Sequence, residues 1–343
     1  MAKQELESIA QALVPKGRGI LAADESAGTI KRRFDSINVE STEANRRFYR
    51  EMLFTTPGTE EFISGVILFD ETLRQKAQDG TPFPELLAQR GIIPGIKLDT
   101  GAKDLAGFPG ETVTEGLDGL RDRLAEYRDL GAKFGKWRAV INIGEGLPTQ
   151  CGIDANAHAL ARYAALCQEA GLVPIVEPEV LMDGDHDIAR CEEATEATLQ
   201  RVYSELYAHR VVLEGTLLKP NMVLSGKDCP TQASVDEVAE ATVRCFRRVI
   251  PAAVPGIVFL SGGQSAVLAT EHLNAMNAMG DHPWELSFSY GRALQGASLE
   301  AWGGQAANVS KAQRVFYHRA KCNGAARYGK YSKEMEAVAD SPM

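Results

Sequence analysis

The chain has 343 residues, 44% of them hydrophobic, and sets 37 Lys and Arg against 46 Asp and Glu for a net charge of −9. That is apolar material enough for one large α/β barrel or two ordinary domains, and the acidic balance argues against the broad basic field that a nucleic-acid or anionic-membrane surface needs. With no run of about 18 apolar residues, and no apolar stretch after a basic start in Met1-Ala-Lys-Gln-Glu-Leu-Glu-Ser8, the expectation is a soluble, cytoplasmic protein.

A first amphipathic helix ends before Pro15. Short apolar runs then alternate with longer segments of helical period: 19–24, 65–69, 93–98, 134–141, 173–178, 215–219, 257–261 and 286–290. Between them the patterns over 117–130, 158–170, 187–209 and 235–249 are long enough for crossover helices. Strand then helix, eight times, predicts a single (β/α)8 TIM barrel in the α/β class, with the extra N-terminal helix ahead of it. No linker, fixed-period repeat or low-complexity tract divides residues 1–343, so one domain is expected. The polar, Gly/Ala-containing segment 323–343 is expected to be a mobile C-terminal tail.

Barrel enzymes place their chemistry at the C-terminal ends of the strands, so a charge near such an end is informative. Asp24 closes the first run, Lys97 and Asp99 the third, Lys136 and Arg138 interrupt the fourth, and Glu177 and Glu179 end the fifth. Strand side chains alternate, so each i, i+2 pair shares a face. Lys219 stands between Leu218 and Pro220. Proline favours extended geometry in the residue before it, which makes Lys219 the last residue of a strand with its amine offered to the mouth. A lone strand-end lysine would ordinarily snorkel to solvent, and Arg138 with Glu179 would suit an internal ion pair. So many charges in one apolar barrel make purely structural pairing costly.

The segment Leu-Glu-Gly-Thr-Leu-Leu-Lys-Pro-Asn around Lys219 resembles the Schiff-base segment of class I fructose-bisphosphate aldolases, and the resemblance extends from about Gly17 to Gly304. Leu-Ala-Ala-Asp-Glu-Ser, Lys-Trp-Arg and Val-Glu-Pro-Glu are also present unbroken. The resemblance implies a metal-independent lyase, without cofactor, that reversibly splits fructose 1,6-bisphosphate into dihydroxyacetone phosphate and glyceraldehyde 3-phosphate. Lys219 forms the imine, Glu177 moves protons, and Asp24 takes the proton of the hydroxyl whose loss breaks the carbon–carbon bond. Lys136 supplies a second cation. An ordinary lysine titrates near 10.4, and both a neighbouring cation and desolvation lower that value, as imine formation requires.

Two phosphates need two anion sites. Ser261-Gly-Gly-Gln-Ser265 and Ser289-Tyr-Gly-Arg292 follow the seventh and eighth runs, where barrels commonly bind phosphate on backbone amides, and Arg292 adds a forked donor. Ser261, Gly262, Gly263, Ser289, Gly291 and Arg292 are therefore candidates for the phosphate next to the ketone. Ser26, Thr29, Arg33 and Lys97 match family positions for the far phosphate on the opposite rim, and Arg138 joins the substrate-binding set. Thr29 stands where the family often has serine, which keeps the hydroxyl.

Other signals are set aside. Gly17-Arg-Gly-Ile-Leu-Ala22 fits a dinucleotide fingerprint but precedes a strand. In Asp183-Gly-Asp-His-Asp187 the calcium-loop register fails, which leaves Asp187 as a helix cap. His158, His209, His272, His282 and His318 show no zinc-ligand spacing and are expected as surface or cap histidines. The six cysteines form no C-x-x-C pair and are expected as reduced core thiols. Competing functions are a Schiff-base aldolase for another sugar, such as sedoheptulose 1,7-bisphosphate, and a noncatalytic scaffold, which would not keep the cluster intact. The resemblance also implies a homotetramer acting on small phosphorylated sugars. The family's C-terminal tyrosine has no counterpart in Ala-Asp-Ser-Pro-Met343.

Overall fold

The structure is a computed structural model that describes residues 3–338. Its strands are β1 (Gly19–Ala23), β2 (Ile63–Leu68), β3 (Ile93–Lys97), β4 (Gly101–Asp104), β5 (Thr112–Glu115), β6 (Phe134–Ile141), β7 (Val173–Val180), β8 (Leu217–Leu218), β9 (Gly256–Phe259) and β10 (Glu285–Tyr290). Eight of them close a barrel in the order β1-β10-β9-β8-β7-β6-β3-β2, and β4 pairs only with β5. The expected (β/α)8 barrel is therefore present. Strand β8 is shorter than its apolar run, because Leu213–Gly215 is coiled into a 3-10 turn. The backbone N–H of Lys219 still donates to Val176 at 2.8 Å, so the lysine is anchored to β7 one step beyond the strand.

The helix Lys3–Leu13 plugs the barrel from below. Leu6, Ala10 and Leu13 join Ile20, Ile67, Phe134, Val173, Ile175, Leu217 and Val258 in one apolar cluster. Glycines make the room: a Cβ on Gly95 would lie 2.3 Å from the Phe134 ring, and one on Gly256 2.7 Å from Val14. Filling the lower barrel with side chains leaves the upper end for polar groups. The outer helices include Leu120–Asp129, Gln150–Glu169, Ile188–Ala208 and Val235–Val249. The second begins before its apolar pattern, at the cap Thr149, whose hydroxyl accepts from the Gly152 amide.

The hairpin β4–β5 and the C-terminal segment depart from the sequence expectation. The hairpin β4–β5 was not legible, because β4 is mostly exposed, β5 is only partly buried, and neither carries an apolar run. It leans on β6, where Thr114 donates to the Arg138 carbonyl at 2.7 Å. The segment from 323 onward is not a mobile tail over its first part: the helix Val309–Ala326 continues through it, and Arg327 is buried with its guanidinium donating to the carbonyls of Val14 and Arg18. Beyond it, Tyr331 and Arg319 both donate to Glu336, at 2.6 and 2.8 Å. A polar composition hid these contacts, since the segment is held by charge and hydrogen bonds. Residues 339–343, with the Ala-Asp-Ser-Pro-Met terminus, lie outside the described residues. All six cysteines are unpaired, but Cys151 is exposed and Cys229 half-buried, so only four belong to the core.

Candidate active site

The C-terminal ends of the barrel strands surround a cavity of about 1250 Å³. Asp24, Lys136, Glu177 and Lys219 line it, together with Ser26, Thr29, Arg33, Lys97, Arg138, Ser261, Gly262, Gly263, Ser289, Gly291 and Arg292. At its floor the Glu177 carboxylate bridges two amines, with Oε1 3.0 Å from Lys219 Nζ and Oε2 3.2 Å from Lys136 Nζ. Lys136 in turn lies 2.7 Å from Asp24 and 3.9 Å from Asp99. The strand alternation works as expected: Lys136 with Arg138, and Glu177 with Glu179, face the cavity, while Trp137 between the first pair turns outward to stack on Tyr163.

Lys136, Glu177 and Lys219 are buried and Asp24 is partly so, and their charges settle one another. Burial alone would raise the Asp24 carboxyl, but Lys136, Lys219 and Lys97 outweigh it and hold Asp24 well below the usual carboxylate range. Glu177 is treated the same way: burial pushes it up, while Lys136, Lys219 and Arg138 bring it below its ordinary value. For Lys136 burial favours the neutral amine, yet Asp24, Glu177 and Asp99 prevail and raise it above an ordinary lysine. Both carboxylates and the Lys136 ammonium are therefore charged at neutral pH. Lys136 is not a bare cation beside Lys219, because Glu177 stands between them and is placed as a base for either amine.

Anion sites lie higher in the mouth. Gly262 and Gly263 have φ of 57° and 97°, left-handed geometry that favours glycine. A Cβ on Gly263 would come within 3.4 Å of the Arg292 guanidinium, so the loops after β9 and β10 meet there. Helices Ala27–Asp35 and Arg292–Trp302 begin at the rim, and neither Ser26 nor Gly291 gives its helix a side-chain cap. By contrast Thr42, Thr149, Asp187, Ser234 and Ser265 all cap theirs. Uncapped first-turn amides with the positive end of the helix dipole suit an anion. Ser289 Oγ is buried in the cavity wall without a hydrogen-bond partner. Among the described residues Arg292 pairs with no carboxylate, whereas Arg33 pairs with Glu25 and Arg138 with Glu179.

The placement expected for the far-phosphate residues is corrected. Ser26, Thr29 and Arg33 do not lie on a rim opposite Arg292: β1 neighbours β10, and the Arg33 guanidinium would be 3.6 Å from a Cβ on Gly291. These residues occupy the rim between Arg292 and Lys97, and it is β3, with Lys97, that stands across the barrel from β9. The sequence gives strand order along the chain, and closure of the barrel is what makes the first and last strands adjacent.

Sequence reasoning missed the support beneath the site. Glu25 is buried between Arg33 and Arg50, and Gln295 donates to Glu25 at 3.0 Å and to the Ala22 carbonyl at 2.6 Å. Arg50 and Arg33 overcome burial and hold Glu25 below its ordinary pKa. Asp99, noted only as a charge, lies 3.4 Å from Lys97 and accepts the Arg138 amide at 3.2 Å. Its i+2 spacing from Lys97 was the available signal. Asp187 caps its helix as expected, accepting from Arg190 at 2.8 Å. His272 is neither a surface nor a cap residue: it is buried within Ala266–Ala278, 2.6 Å from Gln264, and burial pushes it down to about 4.

The family described as fructose-bisphosphate aldolase class-I matches residues 5–342. A probable fructose-bisphosphate aldolase class 1 of Xanthomonas campestris pv. campestris is 61% identical over 332 residues, 96% of this chain and 99% of the relative. The cytosolic fructose-bisphosphate aldolase 4 of Arabidopsis thaliana is 56% identical over 321 residues, 93% of this chain and 82% of its own. Among solved structures, a fructose-bisphosphate aldolase of Plasmodium falciparum, in a ternary complex with TRAP and a small-molecule inhibitor, has a TM-score of 0.95 at 51% identity, over 96% of this chain and 95% of that one. Similarity this high, running nearly end to end over the barrel that builds the charged mouth, makes the chain a carbon–carbon lyase belonging to the class-I fructose-bisphosphate aldolase family.

Proposed function

We propose that the cavity cleaves fructose 1,6-bisphosphate through an imine on Lys219, and that the named side chains divide the work. The observation that carries this reading is Glu177 held between Lys219 and Lys136 at 3.0 and 3.2 Å, with Asp24 next in line. Lys219 attacks the ketone carbon as a free amine, having passed its proton to Glu177. Glu177 returns the proton to the carbinolamine oxygen, which leaves as water. The resulting iminium draws electrons while Asp24, a carboxylate throughout the neutral range, takes the proton of the adjacent hydroxyl; the carbon–carbon bond breaks and glyceraldehyde 3-phosphate departs. Protonation of the enamine carbon and hydrolysis of the imine release dihydroxyacetone phosphate and restore Lys219. Lys136, kept cationic by its three carboxylates, stabilises the negative charge on Glu177 and Asp24.

Binding energy comes from the phosphates. Arg292, the Gly262 and Gly263 amides and the helix N-terminus at Gly291 are proposed to hold the phosphate next to the ketone, and Lys97 the far one, with Ser26 and Thr29 along the rim between. The proposal extends to a homotetramer in the cytoplasm, supported by the family resemblance and by relatives named as cytosolic. Comparing substrates tests the assignment. Arg292→Ala should weaken fructose 1,6-bisphosphate and fructose 1-phosphate alike, by about 2 kcal/mol or more, the scale of a lost charge-assisted bidentate contact. Lys97→Ala should weaken the bisphosphate and spare the monophosphate. If Arg292→Ala left fructose 1-phosphate untouched while Lys97→Ala damaged it, the sugar would lie the other way round.

A further inference from the structure

Outside the mouth, two helices bring together ligand atoms that the sequence keeps far apart. His158 lies on Gln150–Glu169, Glu205 in the last turn of Ile188–Ala208, and His209 is the C-cap of that same helix. Helix packing sets the two imidazoles edge to face, 5.0 Å between centroids. His158 Nδ1 is 3.1 Å and His209 Nδ1 3.5 Å from one and the same oxygen, Glu205 Oε2. Donor atoms bound to one ion at about 2.1 Å stand about 3.0–3.5 Å apart in octahedral or tetrahedral geometry, so these atoms need little movement to share an ion.

The carboxylate is already oriented. Arg201 approaches Glu205 Oε1 at 2.5 Å and is itself held by Asp154 at 2.6 Å, which turns Oε2 toward the histidines. Burial is graded: the Glu205 side chain is 11% exposed and that of His158 52%, leaving the solvent side open for water ligands. One local contact opposes binding, since His209 Nδ1 lies 2.9 Å from the Glu205 carbonyl and must give that up to ligate. Another cluster, His318, Cys322 and Glu336, is less suited, because Arg319 and Tyr331 already occupy its carboxylate.

We infer that His158, Glu205 and His209 form a peripheral site for a divalent cation of the zinc class, separate from the imine chemistry. Two imidazoles and one carboxylate suit zinc, cobalt or nickel and disfavour magnesium and calcium, which prefer all-oxygen shells. Bound there, the ion staples two neighbouring helices together, and its contribution is to stability. The test is calorimetric titration of the intact, chelator-washed protein with zinc chloride, paired with thermal melts and the cleavage assay. The wild type should bind a single saturable ion per chain and melt higher with it. His158→Ala and His209→Ala should each weaken binding by more than about tenfold, the lower end of what losing a partner of a metal ligand costs, while cleavage stays unchanged. Cys322→Ala should bind zinc as the wild type does, and cobalt should give a spectrum without thiolate charge transfer. No saturable zinc in the wild type, or wild-type affinity in both histidine variants, would overturn the site.

Discussion

Asp24 shows how a single side chain can be committed by its neighbours. It is largely enclosed, which by itself favours the neutral acid, but three lysines hold it well below the usual carboxylate range. Its unfolded value is near 3.9, so the folded state binds the proton more weakly than the unfolded chain does. The stabilisation this provides is complete above about pH 5 and erodes as the pH falls through the unfolded value toward the folded one. Asp24→Asn should therefore cost most stability at neutral pH, with the gap to wild type narrowing below about pH 4 in denaturant melts. A gap that widened on acidification would mean that burial dominates the lysines. The residues proposed to be catalytic were legible because each stands at or near the end of an apolar run. Glu25 was not: it stands one residue beyond Asp24, where strand alternation would point it away from the mouth, although it lines the same cavity. Its partner Arg50 lies in the helix Glu43–Phe54, where an arginine ordinarily means a solvated face.

At the scale of elements, the C-terminal segment carries the clearest consequence. Glu336 receives both Arg319 and the Tyr331 hydroxyl, and the Tyr331 amide donates to Asn274 at 2.8 Å. Tyr331 lines a separate groove with Asn274 and Ala278, not the catalytic cavity. Removing Tyr331 to Met343 should leave most cleavage activity and cost about 1–3 kcal/mol of stability or more, the scale of a buried donor left unsatisfied, which is larger for a charged group such as Arg319. Steady-state kinetics and melts on the truncated chain check both halves; loss of nearly all turnover without a fall in melting temperature would give the segment a catalytic role. Strands buried on both faces announced themselves as apolar runs, and the helix Val235–Val249 was legible from its pattern, to which the structure adds a Ser234–Glu237 capping box. The hairpin β4–β5 and the meeting of His158 with His209 had no such local signal, because tertiary packing creates them.

The whole molecule is a barrel filled below with apolar side chains and above with charge. Phe134, Leu13 and Val14 occupy the space that glycines leave at the foot, while Lys136, from the same strand as Phe134, reaches the mouth. This separation explains why the architecture could be inferred from the apolar runs and the charged floor of the cavity from strand-end charges, while the rim could not: which loops face one another depends on closure between β1 and β10. It also puts Lys219 where an amine is buried, flanked by a base and reachable from a cavity of about 1250 Å³. The most direct measurement is reduction with borohydride in the presence of dihydroxyacetone phosphate, followed by peptide mapping. A covalent imine is reduced to a stable amine, so the account predicts irreversible inactivation with the label on Lys219, in the presence or absence of a chelator. Label on another lysine, or activity abolished by EDTA and restored by zinc, would contradict it.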